Sequence, residues 1–301
     1  MTLQQDGQSW TIRDLMKFSI NYLQRHGFDE ARLTVELLLA HTLQCQRIEL
    51  YTHFEKPLSK EELKSFKTCF ERRLAHEPVQ YIVGSTSFMG LQFVVDPRVF
   101  IPRPETETLV EQVMMICNKR EHEEHLEILD IGTGSGNIAV AIAKLVRGVH
   151  VTTIDTSEDA LSVARTNAAA HGVTENVKFE RMDVFGSVES GIGIPFDLLV
   201  SNPPYVSASE WNELQPEVRL FEPQGAVSDQ GDGFKYYRRL AQVAPLLLRP
   251  NGSVVMEVGA GQAKQVEDIF KGSGFTDLQV VPDLQEVERV VVGVWRGKRI
   301  G

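Results

Sequence analysis

Apolar positions along the chain follow two different periods. From Thr11 to about Ala75 they recur at helical spacing: Ile12, Leu15, Tyr22 and Leu23, then Leu33, Leu37, Leu38, Ala40 and Leu43, then Ile48, Leu50 and Tyr51, then Leu63, Phe66, Phe70 and Leu74. Thr11 with Asp14 and Ser59 with Glu62 have the spacing of capping boxes, Gly27 can end the first helix, Asp29 opens the second, and Pro57 marks a break. The pattern predicts a small helical bundle without strands. Between Glu77 and Asp96 the period changes to two, which predicts strands over 79–84 and 88–95 with a turn near Gly84 and Ser85. From Leu126 onward short apolar runs at 126–131, 149–154, 177–180, 196–200, 253–258, 278–281 and 289–295 alternate with helical patterns at 137–145, 157–171, 234–247 and 262–271, after an opening helix at 106–117. Such alternation predicts an α/β fold, a parallel sheet covered on both faces, in which ligands sit beyond the carboxyl ends of the strands. The expected division is a docking bundle over 1–76, a β-hairpin linker over 77–101 and the α/β domain over 102–301.

The loops after the first four of these strands carry the candidate chemistry. The run ending at Val200 is followed by Asn202-Pro203-Pro204-Tyr205. Two successive prolines offer no N–H to a ladder and keep Asn202 extended, so they form a stiff rim with little entropy left to lose on binding. The Asn202 side-chain oxygen and the Pro203 carbonyl can accept two N–H bonds from an amide or amine, and the Tyr205 ring offers a flat face. A Pro-rich turn closing a strand is the bland alternative. Upstream, Asp130-Ile131-Gly132-Thr133-Gly134-Ser135-Gly136 leads into a helix, and its glycines let the backbone approach a ligand at the helix N-terminus. The third glycine comes one residue early for a dinucleotide site, and no Lys-Ser/Thr follows for a phosphate-binding loop. Asp130 disfavours a pyrophosphate and favours a cationic or amine-bearing ligand, which argues for S-adenosylmethionine over NAD. Asp155, closing the second strand, can accept from both hydroxyls of an adenosine ribose; Asp183 with Val184 and Phe185 offers an acceptor and an apolar wall to adenine. Singly these acids are ordinary loop acids; their order along successive strands makes a cleft.

The segment Phe100-Ile101-Pro102-Arg103-Pro104-Glu105-Thr106-Glu107 has prolines at alternate positions and stays irregular until Pro104 or Glu105 starts a helix. It reads equally as an interdomain linker or as a strap across the ligand cleft, with Phe100 and Arg103 touching the ligand. A long loop over 220–233, Gly- and Asp-containing, follows the Asn202 rim.

Composition narrows the partners. The chain of 301 residues has 31 Lys and Arg against 41 Asp and Glu, a formal charge of −10, the wrong sign for holding nucleic acid through its phosphates. The first 80 residues contain 11 basic and 11 acidic side chains, so the bundle is neutral by count and the acidic excess lies downstream. Cys45, Cys69 and Cys117 are far apart and form no Cys-x-x-Cys pair, so reduced thiols are expected. The first residues show no targeting pattern and no apolar run reaches spanning length, which predicts a cytoplasmic protein with no membrane attachment. His122 and His125 lie in a charged run read as a solvated linker, and no metal is expected.

These motifs resemble the Rossmann-like class I S-adenosylmethionine-dependent methyltransferases that modify planar nitrogens. The stretches Pro78-Val79-Gln80-Tyr81-Ile82-Val83-Gly84, Ile101-Pro102-Arg103-Pro104-Glu105-Thr106-Glu107 and Asn202-Pro203-Pro204-Tyr205 resemble the peptide chain release factor glutamine methyltransferases, the HemK/PrmC family. The resemblance runs over essentially the whole chain. It implies a seven-stranded, mostly parallel sheet with an N-terminal helical bundle. The activity it implies is methyl transfer to the glutamine amide nitrogen of a Gly-Gly-Gln motif in release factors, with S-adenosyl-L-homocysteine as the product. It implies a cofactor site at Gly132, Thr133, Gly134, Ser135, Gly136, Asp155, Asp183 and Val184, bordered by Asn202, with substrate held by Asn202, Pro203, Pro204 and Tyr205. A monomer with no requirement for nucleic acid is expected. Two other readings stand beside it: a nucleic-acid amine methyltransferase presenting the same acceptors to a flipped base, and a non-catalytic adaptor using the bundle.

Overall fold

The computed structural model describes residues 10–120, 125–193 and 195–297. The amino-terminal residues 1–6 and most of the charged run 121–125, His122 included, lie outside the described residues. The chain forms two compact units, one holding the helices up to Gly84 together with Pro216–Phe221, the other holding Ser85–Gln215 and the chain from Glu222 onward.

The first unit is built from α1 (Ile12–Arg25), α2 (Ala31–Leu43), α3 (Arg47–Thr52), α4 (Lys60–Leu74) and α5 (Val79–Val83). The Thr11 hydroxyl caps α1 by accepting from the Asp14 N–H, and Ser59 with Glu62 forms a complete capping box on α4. Leu15, Leu23, Val35, Leu38, Leu39, Leu50, Phe66 and Phe70 are fully buried together. The strand expected over 79–84 is a helix instead. Val79, Ile82 and Val83 have helical spacing while Val79, Tyr81 and Val83 alternate, Pro78 stands at the N-cap, and Gly84 at φ +79° ends the turn. The hairpin therefore begins later, as β1 (Ser85–Phe88) and β2 (Leu91–Val94), with the positive-φ pair Met89 and Gly90 between them.

The second unit continues with α6 (Glu107–Asn118), β3 (Leu126–Ile131), α7 (Asn137–Leu145), β4 (Val149–Asp155), α8 (Glu158–His171), β5 (Val177–Arg181), α9 (Val188–Gly191) and β6 (Phe196–Ser201). After β6 come α10 (Pro216–Phe221, in the first unit), α11 (Gln224–Val227), α12 (Lys235–Leu247), β7 (Leu248–Glu257), α13 (Ala263–Gly272), β8 (Phe275–Pro282) and β9 (Glu288–Trp295). The long loop expected over 220–233 thus contains helical turns. The seven strands lie in the order β5-β4-β3-β6-β7-β9-β8; the pairs from β5 to β7 are parallel, and β9 is antiparallel to both neighbours. Consecutive residues of the central strands face opposite layers. Leu129 and Leu199 join one core with Tyr237, Leu240 and Phe270, whereas Ile128, Leu198 and Val200 join another with Val110, Val113 and Ile142. Burial on both faces explains why these strands read as continuous apolar runs.

The order reverses between β3 and β6, so the crevice for a ligand lies beyond their carboxyl ends. Among the described residues no helix is long and apolar enough to cross a membrane. Cys45, Cys69 and Cys117 are free thiols.

Candidate active site

The turn after β3 stays pinned to the sheet: the N–H groups of Gly132 and Thr133 both donate to the Ile154 carbonyl, at 2.9 and 3.2 Å. Gly132, Gly134 and Gly136 all have positive φ, at +89°, +50° and +80°, which ordinary side chains resist. A Cβ on Gly136 would lie 2.9 Å from the Ala164 Cβ of α8, so the start of α7 reaches its place only without a side chain there. Asn167, fully buried on α8, braces the turn from behind: its amide donates to the Ser135 carbonyl at 2.8 Å and exchanges two hydrogen bonds with the Val94 backbone.

Asp130 sits under this turn with no exposure. One carboxylate oxygen accepts from the Thr153 hydroxyl at 2.7 Å and lies 3.5 Å from that of Thr133; the other has no partner. Burial, with the nearby Asp155 carboxylate, pushes its pKa up to about 7. Asp155 ends β4 with one oxygen accepting from the Gly134 N–H at 3.1 Å and the other from the Ser157 N–H at 2.9 Å. Burial raises its pKa against these bonds. An acid whose folded pKa is raised binds its proton more tightly in the folded chain than in the unfolded one. Its stabilising contribution is therefore complete below the unfolded value and lost as pH rises through about 7. Thermal midpoints of the ligand-free protein are expected to fall between about pH 4 and about pH 7, with a shallower slope for Asp130→Asn. An identical slope would show that Asp130 does not titrate in that window.

Asp183 is exposed, and its carboxylate accepts the Phe185 N–H at 2.9 Å; Val184 is buried beside it. Arg239 on α12 clamps this loop by donating to the Val184 and Gly186 carbonyls at 2.7 and 2.6 Å. Phe185 stands edge-on to Tyr236, with ring centroids 5.1 Å apart.

The Asn202 rim lies next to the glycine turn. The Ser201 hydroxyl donates to the Ile131 carbonyl at 2.6 Å, and a Cβ on Gly132 would lie 3.9 Å from the Asn202 carbonyl. The Asn202 amide nitrogen points inward and donates to the Thr106 hydroxyl at 3.2 Å. Pro203 is buried, while Pro204 and Tyr205 are half-buried. The Tyr205 carbonyl accepts from the Gln262 side chain at 3.0 Å, and a Cβ on Gly233 would lie 2.7 Å from that carbonyl. Burial raises the Tyr205 phenol pKa, and the charges of Glu257, Arg289, Arg103 and Glu105 all act on it. Beyond the rim, Val206 pairs with 227–229 and Ala208 with Gly231, which folds the later loop against it.

The structure thus brings Gly132, Thr133, Gly134, Ser135, Gly136, Asp155 and Asn202 to one sheet end. Asp183 and Val184 follow β5, two strands away from β3. Arg103 and the Ile101 backbone are held by the buried Glu222: its carboxylate accepts from the Arg103 guanidinium and, at 3.2 Å, from the Ile101 N–H, and that guanidinium lies 4.6 Å above the Phe100 ring centroid. Sequence reasoning missed Asn167, Arg239, Gln262 and Glu257. Only Glu257 left a signal, an acid closing the apolar run Val254-Val255-Met256.

Among known proteins, residues 14–84 match the family model described as PrmC N-terminal domain, and residues 122–274 the one described as Methyltransferase domain. The release factor glutamine methyltransferase of Chlorobaculum tepidum is 44% identical over 283 residues, 93% of this chain and 96% of that protein. Those of Geobacter sulfurreducens and Koribacter versatilis are 41% and 38% identical, each over 94% of this chain and over 96% and 98% of their own lengths. Identity at this level over nearly the full length of each relative establishes that the chain belongs to the release factor glutamine methyltransferase family.

Proposed function

We propose that the chain is an S-adenosylmethionine-dependent methyltransferase acting on the side-chain amide nitrogen of the glutamine in the Gly-Gly-Gln motif of peptide chain release factors. The observation that carries this reading is the pose of Asn202 at the switch point: with its amide nitrogen engaged inward on Thr106, its oxygen is left to accept an N–H in the cleft beside the glycine turn. The Asp130 carboxylate under that turn, with one oxygen unpartnered, adds negative potential when ionised, which suits an amine-bearing, sulfonium cofactor that would in turn favour the ionised form, and does not suit a pyrophosphate.

The glycine turn and Asp155 would hold the cofactor, with Asp183 and Val184 at the adenine. S-adenosylmethionine supplies an electrophilic methyl group on its sulfonium. An amide nitrogen is a weak nucleophile because its lone pair is delocalised into the carbonyl. The Asn202 oxygen and the Pro203 carbonyl would accept its two N–H groups, fixing the nitrogen and stabilising the positive charge that develops there. Tyr205 would pack on the amide plane. Positioning supplies much of the acceleration, and the alkylated amide, a strong acid, loses its proton without a dedicated base. The neutral amino-terminal helices, matched by the PrmC N-terminal domain model, are the docking element for a protein substrate.

The test is incubation with methyl-labelled cofactor and either a release factor or nucleic acid. Label on the Gly-Gly-Gln glutamine, absent from a release factor with that glutamine changed to alanine, is the expected result. Label on nucleic acid alone would establish the base-modifying reading, and label on neither would establish an adaptor.

A further inference from the structure

One buried acid is not used by the mechanism above. In the β6–β7 register Ser201 lies opposite Met256, so the next step along both strands brings Asn202 beside Glu257. Glu257 is 2% exposed, Thr106 1%, and one Glu257 carboxylate oxygen has no partner. The hydrogen bonds around it have a direction. The Asn202 amide nitrogen donates to the Thr106 hydroxyl oxygen, and the Thr106 hydroxyl and the Asn202 amide both lie beside the Glu257 carboxylate and act to lower its pKa. An ionised carboxylate only accepts, so the groups facing it must present N–H or O–H. An asparagine amide turned over would put its oxygen beside the carboxylate in place of an N–H and leave a buried acid short of donors, which costs more than an ordinary lost hydrogen bond.

We propose that Glu257, acting through Thr106, is the positioning residue that selects the orientation of the Asn202 amide, nitrogen inward and oxygen toward the methyl acceptor. This rests on the reading of Asn202 as the acceptor for the glutamine N–H. The remaining groups facing Glu257 are Arg289 on β9, Glu105 in the turn before α6, and the phenols of Tyr205 and Tyr237, which come from the rim and from α12. Burial, opposed by the neighbouring Thr106 hydroxyl, places the Glu257 pKa at about 7. When it takes up a proton the acid gains an O–H that can donate to the Asn202 oxygen, and the unproductive orientation opens. Turnover at saturating substrates therefore falls as pH drops below about 7.

Glu257→Gln keeps the shape but offers a donor at every pH. The expected result is a kcat about ten- to a hundredfold lower, cofactor affinity within about twofold by calorimetry, an unchanged thermal midpoint, and loss of the acid limb near pH 7 in the kcat profile. Thr106→Val removes the intervening hydroxyl without touching the carboxylate and should also lower kcat at unchanged cofactor affinity; it decides the matter if Glu257→Gln does not fold. Wild-type kcat and pH profile in a folded variant would overturn the inference. So would a kcat loss accompanied by equal losses of cofactor affinity and thermal midpoint, which marks a merely structural acid. If wild type labels the release factor and Asn202→Ala does not, while both of these variants match wild type, the positioning role alone fails. If wild type labels nothing, the functional reading fails first.

Discussion

Replacing Asn202 with alanine is expected to lower methyl transfer to a release factor by about a thousandfold or more while the protein stays folded and binds its cofactor within about twofold of wild type. The size follows from what is removed. The side-chain oxygen is a fixed acceptor on a rim stiffened by Pro203 and Pro204, and water entering the space would have to be ordered each turnover. The Thr106 hydroxyl, 3.2 Å from the Asn202 nitrogen, loses a donor and the buried Glu257 carboxylate loses the neighbouring amide, and a water entering the space left by the side chain can serve both. Cofactor affinity is spared because the glycine turn is held by Ile154, Asn167 and Asp155 and not by the asparagine side chain. Asn202→Asp is equally inactive at neutral pH for a different reason. It places a second carboxylate against Glu257, so one of the two must take up a proton or turn away. Any residual activity of Asn202→Asp should rise as pH falls, opposite to wild type. Single-turnover assays with labelled cofactor measure all three enzymes; near wild-type turnover in either variant would remove Asn202 from the chemistry.

The strands and the turns at their carboxyl ends were legible in the sequence for a physical reason. Strands buried on both faces must be apolar throughout, as 126–131 and 196–200 are, and the turns carry residues needed for backbone shape: Gly136 packed on Ala164, and prolines that end the ladder after Ser201. Val79-Gln80-Tyr81-Ile82-Val83 misled because five residues fit both periods, and only Pro78 and the left-handed Gly84 decide for a helix. The supporting side chains were not legible. Asn167 sits mid-helix among alanines, Arg239 looks like any helix-surface arginine, and Glu257 looks like the polar end of a strand; each acquires its partner through a crossover that local sequence does not encode. The pairing of Ile101 and Arg103 with Glu222 joins residues more than a hundred positions apart.

Asp155 presents the converse case, an acid whose loss should weaken binding far more than chemistry. Its two oxygens already accept from Gly134 and Ser157, so it shapes the glycine turn as well as facing the cleft at the end of β4. Accepting from two ribose hydroxyls would engage its remaining lone pairs, and charge-assisted bonds of this kind contribute about 1.5–3 kcal/mol each. Asp155→Ala should therefore raise the cofactor dissociation constant by about two to four orders of magnitude, a shift that titration calorimetry reads directly. Asp155→Asn retains an acceptor oxygen but turns an amide donor toward one of its partners, and about a tenfold loss is expected. At saturating cofactor both variants should recover a kcat close to that of wild type, because the asparagine rim follows a different strand and keeps its own supports, Gln262 and Thr106. Unchanged affinity in Asp155→Ala would reject the ribose role. A kcat that stays low at saturation would mean that Asp155 fixes the cofactor's methyl as well as its ribose, through the Gly134 contact.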